Sequence, residues 1–477
     1  MDMTINDLNP YLQGLYAPVE REIVAADLEI VGEIPRDLFG GYCRNGPNPA
    51  RPPAGMHHWF DGDAMIHAVW FEDGRATYRN RYVRTKDHLA GLAGECAAGG
   101  ILEPADRGRD GTAYKDTANT DLVVHNGALM ALWYFCGAPV RVDPLTLETI
   151  GEETFSGRLP RRVSAHAKTD GRTGELLFFD YALYEPWMSF GVVGADNELK
   201  HFTQIELPGP RLPHDMGITE NYAILHDLPV IFTERGMQQG LWAIHQPPDL
   251  PTRFGVLPRT GHGDAIRWFE TDPCYIYHVI NCWEDGDEVV MHACRMIPNN
   301  LAPDAQYGAY APMVALLALH AVPVEWRMNL KTGGIAERQL DDRLGEFPAV
   351  NQDWAGRKGR HSYHVSLEGS DMLLFDGLLK YDLETGACVE HRFAPGVYGS
   401  EAVFAPRPGA AEEDDGYVVT VTADRADGRS EAQVFDARAL DAGPLARVKL
   451  PQRVPLGFHA TWARGDLVSG KRAGIAA

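Results

Sequence analysis

The chain has 477 residues, 45% of them hydrophobic, and its 66 acidic and 44 basic side chains give a formal charge of -22. So large an acidic excess excludes nucleic acid and anionic membrane surfaces as electrostatic partners, because no positive field is present to displace counterions. Seven cysteines, at 43, 96, 136, 274, 282, 294 and 388, form no Cys-x-x-Cys pair and follow no basic-then-apolar leader, which is the pattern expected of a cytoplasmic protein with reduced thiols.

Residues 1–20 are polar and acidic and are expected to form a peripheral tail, as are residues 466–477. Between them, short runs rich in Val, Ile, Leu, Tyr and Phe follow one another: ATYRNRYVRT, DLVVHNGALMALWYF, ELLFFDYALY, NYAILHDLPVIFT, CYIYHVINCW, DEVVMHACRM, DMLLFDGLLKYD, GYVVTVTA and EAQVFDA. These read as strands. No sustained helical period runs beyond about three turns, so the fold class is all-β. The segments FEDGRATY (71–78), VDPLTLET (142–149), TDGRTGEL (169–176), NLKTGGIA (329–336), YDLETGAC (381–388) and FDARALDA (435–442) each end a strand with an Asp, Asn, Gly or Thr turn. Such a weak, unevenly spaced repeat suits the outer hairpins of propeller blades with long inserted loops, and no linker divides residues 1–477. The apolar stretch APMVALLALHAVPVEW (311–326) is too short and too interrupted to span a bilayer; it reads as a buried helix or packed loop, or as a lid over an apolar tunnel. RPGAAEEDDG (407–416) reads as a solvated loop.

Of 18 histidines, four stand in distinctive contexts: His166 in VSAHAKTD, His214 in LPHDMGIT, His278 in YIYHVINCW and His459 in LGFHATW. A single histidine is more often a packed residue than a ligand. A propeller, however, brings distant loops to one axis, and four neutral imidazoles leave an octahedral Fe(II) two open positions for O2, substrate or water. His214-Asp215 also precedes a second His-Asp pair, His226-Asp227, which lies beyond any ligand motif.

The segment NGPNPARPPAGMHHWFDGDAMIHAVWFEDGRATYRNRYVRT (45–85) closely resembles the N-terminal signature of the carotenoid cleavage oxygenase family. The resemblance extends from about residue 25 to 465 through DTANTDLVVHNGALMALW, PHDMGIT, GVLPR, the RWFE and YHVINCWEDGD blocks, EFP, EAVFAPR and FHATW, in that order. It implies a seven-bladed β-propeller under a cap of loops and short helices, with Fe(II) held by His166, His214, His278 and His459. Glu346 and Glu401 match two of the family's three glutamates that orient ligand imidazoles. Counted along the chain, the third falls at Phe135, which cannot accept a hydrogen bond and leaves His214 without that partner.

The resemblance further implies cleavage of a conjugated alkene by O2 into two carbonyl products, most readily of a carotenoid or apocarotenoid. The lysine with which stilbene- and isoeugenol-cleaving members activate a phenol corresponds to Tyr134, and ILEPADRGRD (101–110) replaces another of their motifs. Cleavage of a phenylpropanoid or stilbene to an aromatic aldehyde such as vanillin is the alternative, and a non-catalytic binding propeller is a further one. Isomerohydrolysis of a retinyl ester is disfavoured for an acidic chain without an evident anchor. Phe60, Trp133, Tyr134, Phe135 and Trp187 are the expected substrate contacts, with Trp59, Tyr184 and Phe190 as further candidates for an aromatic tunnel. A monomer or weak dimer, with peripheral membrane contact for a lipophilic substrate, is the expected state.

Overall fold

Aromatic and β-branched segments pair as antiparallel hairpins into seven sheets of four to six strands, which form the blades of a seven-bladed propeller. This is seen in a computed structural model that describes residues 5–95, 99–103, 114–239, 243–298 and 302–469. Central strands such as Leu176–Tyr181 and Met188–Val193 are buried on both faces, so their near-continuous apolar runs fit. Thr149–Glu152, at a blade edge, alternates between half-buried and exposed residues, as a strand with one wet face must.

Four of the six segments of the weak repeat close their turns with one device. Asp143, Asp170, Asn329 and Asp382 each accept, through Oδ1, the amides two and three residues ahead, which closes the turn locally. The turns at Asp143, Asn329 and Asp382 join the third and fourth strands of their blades, whereas Asp170 joins the first and second. The last blade to be closed is built from both ends of the described chain. Gly40–Arg44 pairs on one side with Met65–Glu72 and on the other with Ala460–Arg464. In the adjoining sheet, Ile30–Gly32 pairs with Ala446–Lys449.

Three sequence expectations are corrected. Residues 5–20 are not a peripheral tail: Tyr11, Leu15 and Tyr16 are 2%, 6% and 6% exposed, and Tyr11 stacks on Trp59 at 4.7 Å. Two short 3-10 turns, Pro10–Leu12 and Gly14–Tyr16, deliver these side chains without the periodicity that marks a longer element. The stretch 311–326 divides: Ala311–Leu317 is a helix, and Ala321–Asn329 is a buried blade strand. Val322 and Val324 belong to that strand's core, while Leu316 stays exposed on the helix. The acidic loop 407–416 is not merely solvated, since buried Glu413 accepts the amides of Arg360 (2.7 Å) and His361 (2.9 Å). Of the C-terminal segment, Gly465–Ser469 is a short helix and residues 470–477 lie outside the described residues, as do residues 104–110 of ILEPADRGRD.

No helix among the described residues is long and apolar enough to cross a membrane. Six cysteines among them are free thiols.

Candidate metal centre

The innermost strands of the seven blades stand side by side around the axis: Asp121–His125, Lys168–Thr169, Gly217–Ile218, Ile276–Asp285, Gly345–Ala349, Val403–Pro406 and Ala460–Arg464. Within three residues of the start of each lies a buried polar residue that faces the centre or orients a residue that does: Asp121, His166, His214, His278, Glu346, Glu401 and His459 respectively. Each blade therefore supplies one group. The four imidazoles converge so that one nitrogen from each lies within 4.8 Å of the others.

The order around the ring decides which histidines have a carboxylate. His166 follows the blade of Asp121, and Asp121 Oδ2 accepts the His166 amide at 3.0 Å while lying 3.5 Å from its Nδ1. His278 Nδ1 lies 2.5 Å from Glu346 Oε2 on the next blade, and His459 Nδ1 lies 3.3 Å from Glu401 Oε1 on the preceding one. Seven positions thus make three histidine-carboxylate pairs and one remainder. His214 is that remainder, because both neighbouring blades carry histidines. Its Nδ1 is buried without a hydrogen-bond partner, and the rings of Tyr134 (4.4 Å) and Tyr277 (4.7 Å) flank it.

These positions hold unusual backbone. His166 has φ +66° and Phe347, next to Glu346, has φ +48°, a region that costs a non-glycine residue about 1–3 kcal/mol. The amides of both are held by the neighbouring carboxylates, His166 by Asp121 and Phe347 by Glu346. The Phe347 ring then lies over His459, 4.7 Å away and within 26° of parallel.

The donor set fits a divalent metal. Metal-nitrogen bonds of about 2.1 Å place adjacent ligand atoms about 3 Å apart and opposite ones about 4.2 Å apart. His166 Nε2 and His214 Nε2 are 3.1 Å apart, and buried His278 Nε2 has no other partner. Burial and the charges of neighbouring histidines hold His166, His214 and His278 well below the usual imidazole range, in the neutral form that ligates. Burial acts on His459 too, but Glu401 beside it more than offsets this and raises it. Burial likewise pushes the Glu346 carboxyl up to about 8. A cation on the far side of His278 reverses that preference and favours the carboxylate. Glu346→Gln is therefore expected to weaken metal affinity about 10–100-fold, measured by competition with a chelator.

The two His-Asp pairs do different work. Asp215 ties three ligand segments together: Oδ1 accepts the Met216 amide and the Lys168 ammonium, both at 2.7 Å, and Oδ2 accepts the Val279 amide at 2.7 Å. Asp227 accepts Arg211 Nε at 2.6 Å and Arg253 Nε at 2.8 Å, which anchors the loop leading to His214. His226 packs inside the blade against Phe254.

Beside the centre lies an apolar cavity of about 370 Å³. Phe60, Tyr134 and Phe135 line it, together with Tyr275, Tyr277, Leu212 and the helix-end residues Ala315–Ala318. The expected tryptophans do not. Trp133 is 3% exposed and packs behind Phe135 at 5.2 Å, because its neighbour Tyr134 takes the place beside His214. Trp187 packs half-buried on the core of its own blade. Phe190 is in that core, Trp59 lies among Tyr11, Tyr16 and Phe458, and Tyr184 is 70% exposed. The position facing His214 is likewise Tyr134 and not Phe135. Asp121, Tyr275 and Tyr277 were not identified from sequence, although the alternation in YIYH puts both tyrosines on one face and His278 on the other.

Comparisons with known proteins identify the family. The family model described as retinal pigment epithelial membrane protein matches residues 16–464. The chain is 37% identical to a carotenoid 9,10(9',10')-cleavage dioxygenase of Crocus sativus, over 94% of this chain and 88% of that one. It is 34% identical to a carotenoid cleavage oxygenase of Mycobacterium tuberculosis, over 95% and 97%. The crystal structure of Pseudomonas brassicacearum lignostilbene dioxygenase superposes with a TM-score of 0.86 at 29% identity, covering 96% of this chain and 99% of that one. With four axial histidines on seven blades and a match over nearly its whole length, the chain belongs to the carotenoid cleavage oxygenase family.

Proposed function

We propose that the four histidines hold Fe(II) and that the protein is a dioxygenase cleaving one conjugated double bond of a carotenoid or apocarotenoid into two carbonyl products. The observation that carries the substrate class is the cavity: among its described lining residues there is no Lys, Arg, Asp or Glu, and its inner end stops one ring short of His214. Burial and ring contacts alone hold a polyene, which offers no polar handle. Bound Fe(II) supplies the route by which triplet O2 reacts with a singlet alkene.

The chain's own residues do the rest. Phe60, Tyr134 and Tyr277 position the alkene beside the histidines, the apolar walls exclude water, and depth of insertion selects the bond. No side chain has to move a proton in this reading. Glu346, Glu401 and Asp121 act by orienting imidazoles. The rim formed by Ala315–Ala318, with Leu316 53% exposed, is the proposed entry for a lipophilic substrate and its contact with a membrane surface.

A second reading, cleavage of a phenylpropanoid or stilbene, is favoured by one contact: the Tyr134 and Tyr275 hydroxyls approach to 3.4 Å and form a polar spot in the cavity wall. Burial pushes both well above the usual phenol range, so they donate hydrogen bonds but do not deprotonate a bound phenol. The two readings separate by mass spectrometry of products after aerobic incubation of iron-loaded protein with β-carotene, apocarotenals, resveratrol and isoeugenol. Paired polyene aldehydes are expected. Aromatic aldehydes with no polyene product would overturn the polyene reading, and no carbonyl product from any alkene would favour a non-catalytic propeller.

A further inference from the structure

A second cavity reaches three of the four histidines from the other side. It holds about 230 Å³, follows the propeller axis and shares no lining residue with the apolar cavity. Its inner wall includes His166, His278 and His459, and its outer wall includes Asp353, Arg464 and Leu467. The strand Ala460–Arg464 connects the two ends, about 13 Å apart at roughly 3.3 Å per residue.

The channel is charged at both ends, with Val123, Val350 and Phe404 among the apolar residues of its wall. Near the ligands it presents the carboxylates of Asp121, Asp215 and Glu401, with the Lys168 ammonium 2.7 Å from Asp215. At the mouth Arg464 holds Asp353 through contacts of 2.9 and 3.0 Å and Asp466 through contacts of 3.0 and 3.2 Å. These mouth groups are accessible: the side chains of Asp353 and Arg464 are 48% and 30% exposed.

We propose that this axial channel is the path by which a divalent metal enters the four-histidine centre, with Arg464 at the mouth limiting the rate. The inference rests on reading those histidines as a metal site. A hydrated dication entering by the apolar cavity loses water with no charged side chain to replace it, which is costly. The axial channel offers carboxylate oxygens at both ends, Asp353 at the surface and Asp215 and Asp121 beside the ligands. Arg464 opposes the same traffic twice, by its own charge and by occupying Asp353.

The test uses full-length protein stripped of metal and mixed with cobalt(II) at low ionic strength. Uptake is followed by the visible absorption of nitrogen-ligated cobalt, and the end point by elemental analysis. Removing one positive charge a few ångströms from a dication's path, in Arg464→Gln, is expected to speed uptake roughly fivefold, and adding one at the exposed position in Leu467→Arg to slow it roughly fivefold. Both differences shrink as salt is added, and both variants finish with the same cobalt content as the parent. Leu316→Arg, at the rim of the apolar cavity, leaves the rate unchanged. If uptake ignores Arg464→Gln and Leu467→Arg, or is slowed only by Leu316→Arg, the route is wrong while the metal site stands. If the parent takes up no nitrogen-ligated cobalt, the metal reading itself fails, and the route with it.

Discussion

Replacing His278 with alanine is expected to yield protein with less than about a tenth of an iron per chain and with turnover at least about a thousandfold lower. The loss is large because two things go at once. One of four nitrogens that lie within 4.8 Å of each other disappears, and Glu346, fully buried, is left without the imidazole 2.5 Å away. Leaving a buried carboxyl without its partner costs about 1–3 kcal/mol, so circular dichroism must accompany the metal analysis. His459→Ala removes the partner of Glu401 in the same way and serves as the second case. Either variant retaining one iron per chain and full turnover would sink the assignment of the centre.

Tyr134→Glu is expected to do the opposite and tighten metal binding about 10–100-fold, the usual worth of a carboxylate behind a ligating histidine. His214 is the ligand whose Nδ1 lacks a partner, and the Tyr134 ring is 4.4 Å from it. A glutamate there places an acceptor at that nitrogen, and the contacts made by the Tyr134 carbonyl to Ser164 and Tyr181 remain. Phe135→Glu is the control. Its side chain faces the apolar cavity, so the same charge should leave affinity unchanged and lower turnover of an apolar substrate. Affinity rising with Phe135→Glu and not with Tyr134→Glu would show that the position facing His214 had been misassigned.

The contrast between these neighbours shows where sequence reasoning reaches its limit. Local context alone left each of the four histidines as readily a packed residue as a ligand; they could be singled out as a set because each sits in a segment that resembles a motif of the carotenoid cleavage oxygenase family. Glu346 and Glu401 could be placed by their motifs. Asp121 could not: it is one of 66 acidic residues, and its value comes from which blades are adjacent, which no local pattern encodes. A one-residue shift between Phe135 and Tyr134 decides which side chain neighbours the ligand, since both sit in the turn that follows the strand Ala128–Leu132, where no strand alternation fixes their directions. The tryptophans misled for a related reason. Their size and apolarity serve a blade core as well as a tunnel, and only packing separates the two. The blade turns were legible because Asp and Asn close them with hydrogen bonds made within a few residues.

The seam between Gly40–Arg44 and Ala460–Arg464 has a consequence for how the protein matures. His459 joins the other three ligands only when that seam has formed, and its contacts with the first blade span some four hundred residues, the kind of pairing that forms late in folding. Metallation is therefore conditional on ring closure, and by mass action a bound ion must in turn hold the ring shut. Amide hydrogens of the seam should exchange with deuterium faster in stripped protein than in loaded protein, while those of the blade opposite change little. A bound metal is then a clasp for the fold, and metal starvation is expected to be felt as an opening of the ring along this one join.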